Sequence, residues 1–142
     1  METYSLNEMV VHHTKMAIQI AASMGHTLDF SSESVYQIED ILDNYANDYA
    51  SQPDMIKPLD REVWSIAAIW GTYVGEVMRI ELGELCNWEA VEGGYLLDAQ
   101  GAKASPTSKA FKRIVNGPED NIVSFYEIIG EKMREHLSQI QE

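Results

Sequence analysis

The stretch Val63–Met78, VWSIAAIWGTYVGEVM, is apolar on nearly every side of a helix. A surface helix keeps one polar face, whereas a helix of this composition is buried on most of its faces. Pro58 and Asp60 suit the start of such a helix, and Gly83 suits its end. The sequence therefore predicts a central helix from about Leu59 to Leu82, against which the other elements pack.

Two glycines of this helix, Gly71 and Gly75, lie four residues apart and so leave one side without side chains. The same spacing in a membrane helix would suggest dimerisation. In a chain whose apolar runs are too short to span a bilayer, and with Trp64 and Trp70 nearby, we expect a close internal packing contact instead.

Helices are also predicted on both sides of the central one. The first begins at a capping box of Ser5 and Glu8 and ends at Gly25. The second begins near Ser31 or Ser32, and its apolar stripe consists of Val35, Ile38, Leu42, Tyr45 and Tyr49.

The last helix is predicted to have Pro118 as its first residue and to run from Glu119 to about Ile140. Its stripe is Ile122, Tyr126, Ile129, Met133 and Ile140.

Short apolar runs separated by glycine-containing turns follow the central helix. They predict a small antiparallel hairpin or three-strand meander, at about Cys86–Val91, Tyr95–Asp98 and Ala102–Ala104. A short helix from about Thr107 to Val115 comes next, after Pro106. The predicted fold class is α+β, mainly helical, with about five helices and the strands between the third and fourth helices.

Length and composition indicate a single domain over residues 1–142. With 142 residues, of which 45% are hydrophobic, the chain can bury a core without disulfides. The N-terminal residues show no secretory signal pattern, and Cys86 is the one cysteine. These features favour a reducing, cytoplasmic location. The oligomeric state stays open, because the apolar residues of the central helix could be buried either by the fold or by a second copy of the chain.

The chain is strongly acidic, with a net charge of −13. Four of its ten basic residues lie between Lys103 and Arg113, so the rest of the chain carries 23 acids against 6 bases, a net charge of −17. Such a surface repels nucleic acids and anionic membranes and attracts basic proteins.

No catalytic, metal-binding or cofactor-binding pattern is present. The histidines form no HExxH motif, the adjacent His12 and His13 point about 100° apart on a helix, and the glycines form no phosphate-binding loop. A packed, hydrogen-bonded role is expected for His13. We expect no catalytic residue, no metal and no cofactor. An enzyme whose catalytic residues converge only in the folded chain is a third interpretation, beside the two functions given below.

Glu76 is the carboxylate for which a partner is most needed, because it belongs to the most apolar helix and a buried charge has to be paired. The nearest excess of basic residues lies between Lys109 and Arg113. We therefore predict a structural or ligand-binding cluster of Glu76, Lys109, Lys112 and Arg113, in which Glu76 pairs with one of the three basic residues and ties the short helix to the central one. Three interpretations of the basic residues stay open: they hold the fold together, they bind an anion beside the serines at the helix start, or they contact a partner.

Three motifs of the chain occur together: a G-x-Y-x-GE helix, a tryptophan-bearing strand, and a segment that leads into the last helix. Their positions are Gly71, Tyr73, Gly75, Glu76, Trp88, Pro106, Ser108, Lys109, Lys112, Arg113, Asn116, Gly117, Glu119 and Asp120. These motifs resemble those of a widespread family of small bacterial domains of unknown function. The resemblance covers roughly Leu28 to Ile129 and implies a common fold, with no agreed activity, and some members look like toxin-immunity proteins. Thr107 departs from the pattern, which has an aromatic residue after the proline.

The predicted function is that of a non-enzymatic acidic protein that sequesters a basic partner, such as an immunity protein neutralising a bacterial toxin. The alternative is a regulatory domain that binds a small molecule or anion at the cluster around Glu76. The residues predicted to contact the partner are Glu33, Asp40, Asp43, Asp48 and Trp88.

Overall fold

A computed structural model describes residues 5–141 and confirms the α+β fold class. The described chain contains five α-helices, with a three-stranded sheet between the third and the fourth. The helices are α1 (Leu6–Ser23), α2 (Ser32–Ser51), α3 (Asp60–Leu82), α4 (Pro106–Asn116) and α5 (Ile122–Ile140). The strands are β1 (Cys86–Val91), β2 (Gly94–Ala99) and β3 (Ala102–Ala104), and short 3₁₀ turns span Asp54–Ile56 and Pro118–Asp120.

The starts of α1 and α2 follow their capping residues. The Ser5 hydroxyl accepts the Glu8 N–H at 3.1 Å, and the Glu8 carboxylate accepts the Ser5 N–H at 3.4 Å, which confirms the predicted capping box. Ser31 caps α2 by accepting the Ser34 N–H at 3.2 Å. These bonds satisfy backbone donors that have no partner inside a helix.

Helix α3 is the central element, as predicted. Eleven of its 23 residues are buried, including Trp70 and Tyr73. It packs against α1 on one side and α4 on another, and it also contacts α2 and α5. Its core residues join a hydrophobic cluster that draws on every α-helix and all three strands.

Gly71 and Gly75 are the points of closest approach on α3. A Cβ atom at Gly71 would lie 2.5 Å from Thr107 Cα of α4, and one at Gly75 would overlap the Trp88 ring of β1. The predicted close packing contact is thus confirmed, and only glycine fits at either position.

The strands form a meander in the order β1-β2-β3, with both pairs antiparallel. Cys86 pairs with Ala99 and Trp88 with Leu97, and all four residues face or contact the core. The register places Trp88 against α3 at Gly75, opposite the carboxylate of Glu76.

The predicted start of the last helix is wrong. Pro118–Asp120 forms a separate 3₁₀ turn, and α5 begins at Ile122 with Asn121 as its cap. The Asn121 side chain accepts the Ser124 N–H at 2.9 Å, while Asp120 is held by Lys109 of α4. The start of α5 is therefore set by the capping residue Asn121 and not by Pro118.

Among residues 5–141, no helix is both long enough and apolar enough to cross a membrane.

A side chain at Gly71 should destabilise the fold. Gly71→Ala places a methyl group against the backbone of α4, which can move only by shifting a helix, so we expect a loss of about 1–3 kcal/mol in unfolding free energy. Urea denaturation measures this loss. Gly130→Ala on α5 is the matched control, because its Cβ meets nothing within 4 Å and alanine favours helices. Equal stability of the two variants would contradict the close contact.

Candidate functional site

The solvent face of α2 carries most of the acids predicted to bind a partner. Glu33, Tyr36, Asp40 and Asp48 recur at helical spacing, and all four are exposed. Tyr36 is 54% exposed, and its hydroxyl donates to Glu127 Oε1 of α5 at 3.0 Å. This hydrogen bond and the negative charge of Glu127 raise the pKa of Tyr36. We call these four residues the acidic face.

An exposed apolar segment follows α2 directly. Met55, Ile56 and Leu59 are 97%, 67% and 54% exposed, and we call them the apolar tip. Lys57 anchors the segment by donating its ammonium hydrogens to the carbonyls of Tyr49 and Gln52 at the end of α2. Such exposed apolar side chains beside charged ones are typical of interaction surfaces. Sequence analysis missed this tip, although two large apolar residues between Pro53 and Pro58 were the available signal.

Asp43, also predicted to bind a partner, is half-exposed and paired with Arg113 of α4. Arg113 of α4 is 1% exposed and donates from Nη2 to Asp43 Oδ1 at 2.5 Å. Its Nε donates to Glu39 Oε2 at 2.8 Å, and Glu39 Oε1 accepts the Ile122 N–H that begins α5. Burial lowers the pKa of Arg113, but the two carboxylates outweigh this effect and the net pKa is raised. One buried cation thus joins three helices.

The predicted pairing of Glu76 with the basic residues of α4 is wrong. Arg79, one turn along α3, binds Glu76 with both Nε and Nη2, at 2.9 and 3.0 Å. Trp88 Nε1 donates to the same carboxylate at 2.6 Å. Burial raises the pKa of Glu76, but these hydrogen bonds outweigh it and hold the pKa below its ordinary value. The i,i+3 spacing of Glu76 and Arg79 was a local signal that sequence analysis missed.

The other basic residues of the predicted cluster also lie apart from Glu76. Lys109 forms a salt bridge with Asp120 at 2.9 Å, and Lys112 is exposed. Ser105 caps α4 through the Ser108 N–H. The structure does not bring the four predicted cluster residues together: Glu76 pairs with Arg79, Arg113 with two carboxylates of α2, and Lys109 with Asp120.

Trp88, the last residue of the predicted partner set, is half-buried rather than presented to solvent. Its ring meets Tyr95 edge-on, with centroids 5.1 Å apart, and its indole N–H is used by Glu76. Its contacts therefore serve the packing of β1 on α3.

Cys86 and His13 are the groups that nucleophilic chemistry would need, and both are constrained. Burial raises the pKa of the Cys86 thiol to about 11, so it stays protonated at neutral pH. His13 Nδ1 lies 2.6 Å from the Tyr95 hydroxyl, and the packed, hydrogen-bonded role expected for it is confirmed. No cluster of three or more metal-ligating side chains occurs in the described part of the chain.

Removing the buried cation should be costly. Arg113→Met keeps most of the side-chain volume but leaves the partly buried carboxylate of Glu39 without its cationic partner, so we expect a loss of about 3 kcal/mol in unfolding free energy. Chemical denaturation tests this. Lys112→Met, the exposed neighbour, should change stability by no more than about 0.5 kcal/mol. A similar small effect from both variants would show that the Arg113 contacts do not stabilise the fold.

The Glu76 carboxylate should contribute to stability in a pH-dependent way. Because its pKa is lowered in the folded state, its contribution is complete above its ordinary pKa of 4.5 and is lost as the pH falls through the folded value. Glu76→Gln should therefore cost about 1–2 kcal/mol at pH 7, and the cost should shrink below pH 4.5. Denaturation of both proteins from pH 7 to pH 3 measures it. Exposed Glu84→Gln serves as the control, and a cost independent of pH would contradict the assignment.

Comparison with protein-family models, curated proteins and solved structures found no match to this chain. The resemblance to a family of small bacterial domains therefore stays a prediction.

Proposed function

We propose that this protein is a non-enzymatic binding protein that sequesters a basic protein partner, as an immunity protein does with a bacterial toxin. The observation that carries the proposal is the acidic face, where Glu33, Asp40 and Asp48 project from one side of α2 into solvent. The proposal places the protein in the cytoplasm and assigns it neither nucleic acid nor membrane as a partner, since its net charge of −13 opposes both.

Charge and apolar area have separate roles in this proposal. Carboxylates at the rim of an interface mainly accelerate the encounter with an oppositely charged partner. Affinity depends more on large side chains that become fully buried, and Tyr36, Met55 and Ile56 are exposed and available for that role. Helix α2 rises about 1.5 Å per residue, so Tyr36 and Ser51 lie roughly 22 Å apart, a span suited to a protein interface.

The proposed surface omits two of the predicted residues. Asp43 is paired with buried Arg113, and the indole N–H of Trp88 is paired with Glu76. Both side chains already hold contacts within the fold. The partner is therefore expected to meet the outward acids of α2 and the apolar tip.

The test uses the product of the adjacent reading frame in the source genome, purified and mixed with this protein. We expect a basic protein that forms a one-to-one complex. The variant Glu33→Gln/Asp40→Asn/Asp48→Asn should lower the association rate about tenfold or more at low salt, because steering depends on local charge. Stopped-flow or surface-plasmon measurements at two salt concentrations give the rate.

The matched control is Glu84→Gln/Glu92→Gln/Glu135→Gln, which removes three exposed negative charges elsewhere in the chain. It should lower the association rate much less. Equal effects from the two triple variants would mean that the association rate depends only on the net charge of the protein, and that the acidic face is not the binding site. An acidic or non-binding neighbour product would contradict the immunity role.

A further inference from the structure

A groove of about 560 Å³ lies between α1, α3 and β1, on elements that the proposed partner surface does not use. Small-molecule sites typically measure 300–1,000 Å³ and combine apolar walls with a few polar groups. Leu6, Val10 and Ile18 of α1 form one apolar wall, and Phe30 adds an aromatic ring. Leu6 and Ile18 are twelve residues apart on a helix, so the wall extends about 18 Å.

The aromatic wall is rigid. Phe30 has a φ of 64°, a left-handed conformation that is uncommon for a bulky residue. Its N–H donates to the Tyr73 hydroxyl at 2.8 Å, and its ring stacks on Tyr73 with centroids 5.2 Å apart. Two contacts to buried Tyr73 thus fix Phe30 in place.

The charge of the groove is opposite in sign to that of the protein. Its charged groups are Lys15, Arg79 and Glu76, with a net charge of +1, whereas the chain carries −13. Glu76 and Arg79 form an ion pair, so the uncompensated positive charge is that of Lys15. A monovalent anion fits a net charge of +1, while a dianion would leave an excess negative charge in a chain that is already strongly acidic.

Arg79 is oriented for a second anion. Its Nε and Nη2 edge binds Glu76, and within residues 5–141 its Nη1 has no hydrogen-bond partner. The side chain is 37% exposed and lines the groove, as does Lys15. Because the guanidinium is already held in place, it loses little further conformational freedom when it binds a planar carboxylate.

We propose that this groove binds a small amphipathic monocarboxylate. Its carboxylate contacts Arg79 and Lys15, and its aliphatic or aromatic body lies against Val10, Ile18 and Phe30. The site is independent of the acidic face and would stand if the protein partner proved wrong.

The test titrates sodium decanoate, below its micelle concentration, into the full-length protein. We expect saturable one-to-one binding by calorimetry, with NMR shifts of the Trp88 indole N–H and the Ile18 methyl groups. Lys15→Gln should weaken binding about five- to tenfold through loss of a charge-assisted contact, and it should leave stability unchanged because Lys15 is exposed. Lys132→Gln, an exposed lysine of α5, is the matched control.

Decyltrimethylammonium, with the same chain and the opposite charge, separates charge recognition from apolar adsorption. It should leave the Trp88 and Ile18 reporters unshifted. Absence of saturable decanoate binding, equal losses in the two lysine variants, or equal reporter shifts with the cation would each overturn the proposal.

Discussion

The close approach of α3 to its neighbours at Gly71 and Gly75 is the constraint on which the other features depend. Gly71 lets the start of α4 pack on the α3 backbone, and Gly75 admits the Trp88 ring. With α4 held there, its Arg113 reaches Glu39 and Asp43 of α2. With the ring held there, the Trp88 indole reaches Glu76. Both polar clusters thus follow from two close contacts of α3, one with the backbone of α4 and one with the Trp88 ring.

Helix α2 divides its carboxylates between two roles. Glu39 and Asp43 face α4 and neutralise a buried guanidinium, which would otherwise be strongly destabilising. Glu33, Asp40 and Asp48 face solvent and give the surface its acidity. The basic residues near α4 therefore do not oppose the acidic surface, because Arg113 and Lys109 are paired inside the fold. A basic partner would meet acids alone on the outward side of α2.

The groove beside α1 differs from the rest of the protein in the sign of its charge. Lys15 and Arg79 give it a small positive charge in a protein where acids outnumber bases 23 to 10. Glu76 accepts hydrogen bonds from Arg79 and Trp88 and so holds the guanidinium in place. The two proposed ligands, a basic protein and a small carboxylate, would meet surfaces of opposite charge on different elements, so neither proposal depends on the other.

The sequence by itself determined the helices, the meander and the close contact at the glycines, because apolar periodicity, capping residues and turn glycines act over a few positions. It also predicted which acids of α2 face outward, except Asp43. Only the tertiary structure decided the ionic partners: Arg113 meets carboxylates 70 and 74 residues away, and Trp88 meets Glu76 across β1 and α3. Net charge along the chain could not predict these pairs. A salt bridge forms between groups that packing brings within about 4 Å, and packing depends on backbone approach rather than on charge.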